Sequence, residues 1–164
     1  MPKNTLRLEF LNVIKKLGLN SKNFKIFDIP VRRFNEHRQS ILESLINVRN
    51  SFKPDLVIGP SQYDIHQDHR VISNEMVRAF KSNCSILGYE LPWNNPKFKS
   101  QYFEKIDKSL MDKKYEILKS YSSQISLNRN YFDKDFIFGL ARTRGVQINS
   151  KYAEAYEVIR WIEN

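Results

Sequence analysis

Cysteine is nearly absent from this chain. Cys84 is the only one in 164 residues, so no internal disulfide can form and a reducing, cytoplasmic setting is expected. Histidine is scarce as well, with three, so a site built on imidazoles has few places to be. Five glycines and six prolines are too few for a collagen-like or low-complexity chain. No repeat or linker interrupts the sequence, and one domain over residues 1–164 is expected. No apolar run approaches the ~20 residues that cross a bilayer. "MPKNTLRLEF" has no apolar stretch leading to a small-residue cleavage site, so no secretory signal is read there.

What is plentiful is positive charge: 27 basic against 18 acidic residues, a net of +9. The lysines alternate with acids, as in "FEKIDKSLMDKKYE". No basic block or nucleic-acid motif stands out, so a nucleic-acid partner is not expected. Attraction to an anionic substrate or to acidic lipid head groups stays open. Hydrophobic content of 41% with 13% aromatics supplies a packed core.

Periodicity predicts a helix over residues 4–17, with Leu6, Phe10, Val13, Ile14 and Leu17 in one stripe and Gly18 ending it. "FKIFDIP" (24–30) reads as a strand, 36–51 as a helix, and "PDLVIGP" as a short buried strand. A helix over 70–81 and a strand at 84–90 follow. This alternation predicts parallel strands joined by crossover helices. Beyond residue 91, helices are predicted at 104–121, 129–143 and 152–163, with "RGVQI" as a turn or short strand. An α/β domain usually opens with a strand that ends up central in the sheet. Here a helix comes first and only three strand candidates follow, so the sheet is small or lacks its middle.

"PDLVIGPSQYDIHQDHR" (54–70) places His66, Asp68 and His69 in the loop leaving the carboxyl end of a predicted strand, where open α/β sheets bind ligands. Asp68 is a candidate N-cap for the next helix. Imidazole and carboxylate are zinc donors. Of two histidines, one can bind metal while the other moves a proton near neutral pH. A catalytic zinc takes three protein ligands, and His37 has no evident reason to lie near His69. Further donors must be carboxylates or lie outside this chain.

These segments resemble the PIG-L/LmbE-like zinc-dependent N-acetylglucosaminyl deacetylases. "RLEFLNVIKKLGL", "FDIP", "KPDLVIGPSQYDIHQDHRVIS", "GYELPW", "KSYSSQI", "ARTRGVQI" and "YAEAYEVIR" are similar to family segments in the same order. The H-P-D-H-R match is the most specific, with Gln67 in the place of the proline. The resemblance implies a Rossmann-like three-layer fold with a mostly parallel sheet and extra helices at the C-terminus. It implies zinc as cofactor and hydrolytic N-deacetylation of an N-acetylglucosamine-type sugar or glycoconjugate. His69 matches the metal ligand, His66 the histidine that polarises the oxyanion and passes protons, and Asp68 the acid that positions that histidine. Arg142, Arg144 and Glu154 are candidates for substrate contact or for the framework. The family's A-H-P-D-D-E motif, which supplies further ligands and the general base, does not occur in this sequence. The chain therefore reads as a member lacking its N-terminal part, with homo-oligomerisation as one way to cover exposed sheet edges. A non-catalytic descendant that binds a sugar conjugate or protein partner is the alternative.

Overall fold

The computed structural model describes residues 4–163, and the chain divides into two compact units. One unit comprises the residues up to Phe27 together with Glu104–Glu154. The other comprises Asp28–Phe103 and the residues from Ala155 onward.

The second unit carries the histidine loop. A single 3₁₀ turn (Phe34–His37) leads into α2, Arg38–Phe52, which Lys53 closes in the left-handed region at φ 50°. Strand β1, Leu56–Pro60, pairs in parallel with β2, Ser85–Tyr89, in the register Leu56↔Ser85 to Pro60↔Tyr89. The crossover between them is α3, Gln67–Phe80, so one parallel β-α-β unit stands where the alternation placed it. Met76, Ala79, Phe80, Leu42, Cys84 and Ile86 form the core between α2, α3 and these strands. Burying a side chain such as Ile86 completely stabilises the unit by about 1.5–3 kcal/mol. A Cβ at Gly59 would collide with the Met76 thioether, so glycine lets β1 lie close against α3.

With β3 at Tyr102–Ile106 and β4 at Tyr152–Arg160, the sheet is mixed, in the order β1-β2-β4-β3. β4, Tyr152–Arg160, runs antiparallel to β2 with Gly88↔Glu157 and Tyr89↔Tyr156 opposed. The α/β class holds, but the expected mostly parallel sheet does not. β3 spans Tyr102–Ile106, and both β3 and β4 pass along the chain from one unit into the other.

The first unit holds α1 (Thr5–Lys16), α4 (Lys108–Leu118), α5 (Ser122–Ile125) and α6 (Lys134–Val146). Its core is Met111, Ile137 and Ala141, flanked by Tyr115, Phe138 and Tyr152. α1 ends as predicted: Gly18 sits at φ 71°, and the Leu19 N–H reaches the Ile14 carbonyl at 3.0 Å. Its buried face is Glu9, Val13 and Ile14, while Leu6 and Leu17 are exposed. Glu9 is satisfied there by the Ser122 and Ser123 hydroxyls and the Ser123 N–H.

Four predicted elements are corrected. Residues 24–30 belong to no strand, because β propensity reports fit to a sheet surface and supplies no neighbour. The predicted helix at 104–121 is β3 followed by α4, whose start is set by the Asp107 side chain accepting from the Leu110 N–H at 2.8 Å. The helix at 129–143 begins later, as α6, after a 3₁₀ turn at Asn130–Phe132. The closing helix at 152–163 is β4, so the extra helices precede a final strand. Ala153, Ala155 and Glu157 alternate inward with a period of two, but alanine and glutamate read as helix formers. Among the described residues no helix is long and apolar enough to cross a membrane. Cys84 is buried and free.

Candidate functional site

The loop from β1 to α3 is shaped by three successive short side chain to backbone hydrogen bonds. The Ser61 hydroxyl accepts from the Tyr63 N–H at 3.1 Å, and the Asp64 carboxylate from the His66 N–H at 2.7 Å. The His66 ring then accepts from the Asp68 N–H at 3.2 Å through Nδ1. Ser, Asp and His side chains that capture the amide two residues on build such turns without sheet or helix bonds. The Ser61 carbonyl also accepts from the Asp64 N–H at 3.1 Å, and the Asn94 carbonyl from the Ile65 N–H at 2.9 Å. His66 is consequently the N-cap of α3, which starts at Gln67. The helix begins earlier than predicted, and Asp68 lies inside its first turn, not at the cap.

His66 and His69 are thereby brought side by side, with ring centroids 4.4 Å apart. Asp64, 2% exposed, holds His69 Nδ1 at 2.7 Å. A carboxylate only accepts, so Nδ1 of His69 carries a proton, and in the neutral ring Nε2 keeps its lone pair. The reverse holds for His66. Its Nδ1 faces a fixed amide donor, so in the neutral ring Nε2 carries the proton. The two imidazoles thus present opposite hydrogen-bonding character, His69 an acceptor and His66 a donor.

The Asp68 carboxylate is elsewhere. Its Oδ2 accepts from the Arg32 N–H at 2.7 Å, and Oδ1 is buried with no hydrogen-bond partner. Gln67 donates to the Arg32 carbonyl at 2.7 Å. Together they clamp both sides of Arg32, which sits at φ 69° in the turn closed by the Arg33 N–H on the Pro30 carbonyl. Position 67 is the first of α3, where a proline is tolerated; glutamine there provides this bond instead. Asp68 therefore orients His66 through its backbone, while its side chain anchors the neighbouring turn.

Sequence reasoning missed Asp64, although an acid five residues before His69 in D-x-H-x-D-H was a readable signal. It also missed Tyr89, at the carboxyl end of β2. Burial, and then the Asp64 charge, push the Tyr89 hydroxyl above its usual range and keep it a neutral donor. Arg142, Arg144 and Glu154 belong to the other unit. There Arg142 donates to the Lys151 carbonyl, Arg144 to Gln147, and Glu154 accepts from Lys114.

Among the described residues no group of three or more His, Cys, Asp or Glu is arranged to hold a metal ion. Both Asp64 oxygens are engaged, and Nε2 of His66 carries a proton, leaving His69 Nε2 as the free nitrogen donor of the pair. A catalytic zinc needs three protein ligands, so these residues alone do not fit it.

A mixed sheet flanked by helices, with a histidine pair in the loop beyond a parallel strand, defines an α/β protein, a class whose open sheets bind ligands beyond strand ends. More particularly, part of the chain is similar to the PIG-L family, GlcNAc-PI de-N-acetylase, whose model matches residues 3–80, just under half of the chain and including the histidine loop. No curated protein matches it. Among solved structures, N,N'-diacetylchitobiose deacetylase from Pyrococcus horikoshii is similar with a TM-score of 0.66 and 20% identity, over 93% of this chain and 62% of that one. The chain thus spans less than two thirds of that enzyme. The zinc-inhibited form of teicoplanin deacetylase Orf2 gives 0.67 and 16%, over 92% and 71%. GalB, the 4-carboxy-2-hydroxymuconate hydratase from Pseudomonas putida KT2440, gives 0.68 and 22%, over 96% and 73%. These likenesses concern the fold.

Proposed function

We propose that the His66–His69 loop serves the hydrolytic N-deacetylation of an N-acetylglucosamine-type sugar or sugar conjugate. The observation that carries this reading is the opposed pair of imidazole nitrogens, fixed by Asp64 and by the Asp68 amide. Amide hydrolysis adds water to a carbonyl carbon, breaks the C–N bond and releases an amine and acetate. Its carbonyl oxygen gains negative charge on the way, and a donor already aimed at it lowers the barrier. Nε2–H of His66 is that donor, and its proton is at hand for the departing amine. His69 Nε2, backed by Asp64, offers the lone pair. The zinc that accompanies this chemistry in the resemblance needs at least two more donors beyond this loop, and no step is assigned to it.

The incomplete donor set favours a second reading, a chain that binds the acetylated sugar without hydrolysing it. Ring signals of His66 and His69 followed by NMR during titration with N-acetylglucosamine and with glucosamine test the common core of both. Shifts with the acetylated sugar alone are expected. Acetate measured in the same samples separates enzyme from binder. Equal response to both sugars, or none, overturns the reading.

A further inference from the structure

The histidine loop rests on a carboxylate from the opposite end of the sequence, and we propose that Glu157 is a positioning residue for His66 and His69, acting through Ser61. Only its consequence for catalysis rests on the deacetylase reading. Glu157 sits on β4, 4% exposed, at the inward position that follows Ala153 and Ala155 in the alternation. A buried carboxylate is costly unless it is hydrogen-bonded, so its partners show what it is for. Its Oε2 accepts from the Ser61 hydroxyl at 2.6 Å and from the Gln62 N–H at 3.0 Å. Both lie in the turn that opens the site loop.

The sheet is shaped around this contact. Gly88 faces Glu157 across the β2–β4 ladder, and a Cβ there would lie 2.8 Å from the Ser61 Cα and 3.1 Å from Oε2. Only glycine leaves the loop and the carboxylate their place. From Ser61, fully buried, the links run on to the Tyr63 and Asp64 amides, and Asp64 then fixes both histidines. Lys99, whose ammonium lies over the Tyr63 ring at 5.4 Å, places a positive charge beside the same turn. Packing alone does not call for this residue, because an alanine or valine would continue the inward face of β4.

The test reads imidazole tautomers by long-range ¹H–¹⁵N correlation. Glu157→Leu keeps the bulk and removes both acceptor functions. It is expected to lose the Nδ1–H signal of His69 or split it between tautomers, with the His37 signal unmoved. Glu157→Gln, whose carbonyl oxygen can accept both bonds, is expected to restore the wild-type pattern. Ser61→Ala, which removes one hydroxyl, is expected to shift the same two rings and serves if Glu157→Leu fails to fold. Unmoved His66 and His69 signals in folded Glu157→Leu or Ser61→Ala overturn the proposal. No turnover is needed for this readout, so a failure of the deacetylase reading would be seen separately.

Discussion

Replacing Asp64 by asparagine tests the tautomer argument directly. The carboxylate serves two donors, the His66 N–H and His69 Nδ1, each at 2.7 Å. Asparagine offers one acceptor and one donor edge. The His66 amide cannot stop donating, whereas an imidazole can move its proton. The asparagine oxygen is therefore expected to face His66, and its NH₂ to face His69. His69 must then accept at Nδ1 and carry its proton on Nε2, the nitrogen that would otherwise hold the lone pair. All hydrogen bonds survive, so the stability cost should stay below about 1 kcal/mol. Asp64→Ala instead strands both donors. Hydrogen bonds to a charged group contribute about 1.5–3 kcal/mol each, but the His69 side chain is 30% exposed and water reaches it. A loss of about 2–3 kcal/mol follows, read as a fall of roughly 5–10 °C in unfolding midpoint for a chain of this size. Any reaction or ligand that uses His69 Nε2 should weaken by about 10²-fold in both variants, the upper end for groups that orient a site histidine. Urea unfolding and imidazole ¹H–¹⁵N correlation decide the matter together. Asp64→Asn with His69 still protonated on Nδ1 would refute the reasoning.

Further expectations follow from the same contacts. The chain alone should retain well under one equivalent of zinc after dialysis, measured by elemental analysis, because His69 Nε2 is the free nitrogen donor of the histidine pair; stoichiometric zinc would contradict the donor count. Gly88→Ala should cost about 1–3 kcal/mol in urea unfolding, because its Cβ meets the Ser61 backbone, which cannot rotate away. Burial works to raise the Glu9 carboxyl, but hydrogen bonds from Ser123 and Ser122 outweigh it and hold it below its ordinary value of 4.5. Its stabilising contribution is thus complete above that value and lost as pH falls through the lower folded-state value. Glu9→Gln should flatten the acid limb of a stability–pH profile; an unchanged limb would show that the three bonds do not favour the ionised form.

The β1–α3–β2 region was legible because local signals and tertiary environment agree there. "LVIG" is a short apolar run between turn residues, and Val71, Met76 and Phe80 keep helical spacing on a buried face. β4 was illegible because Ala153 and Ala155 alternate inward at strand spacing while favouring helices, and the next inward residue is Glu157. Its burial makes sense only once Ser61, 96 positions away, is known to be its partner. The histidine pair could be read from spacing, since residues three apart meet at a helix start. The role of Asp68 could not, because its carboxylate turns to the Arg32 amide 36 residues away. Short-range chemistry was visible in the sequence; long-range pairing of buried polar groups was not.

The likenesses bear on what distinguishes this loop from its scaffold. A deacetylase and a hydratase share the fold with this chain at TM-scores of 0.66 and 0.68, so the sheet and helices do not select the reaction. In the proposed function, selection falls to a few atoms beyond β1. In the proposed reading, Nε2 of His69 is the acceptor and Nε2–H of His66 the donor. What commits the pair is the fixed tautomer of each ring. Asp64 sets one and the Asp68 amide sets the other, and both depend on the turn that begins at Ser61. The same two histidines on a loop free to rotate would exchange protons between nitrogens and lose their distinct roles.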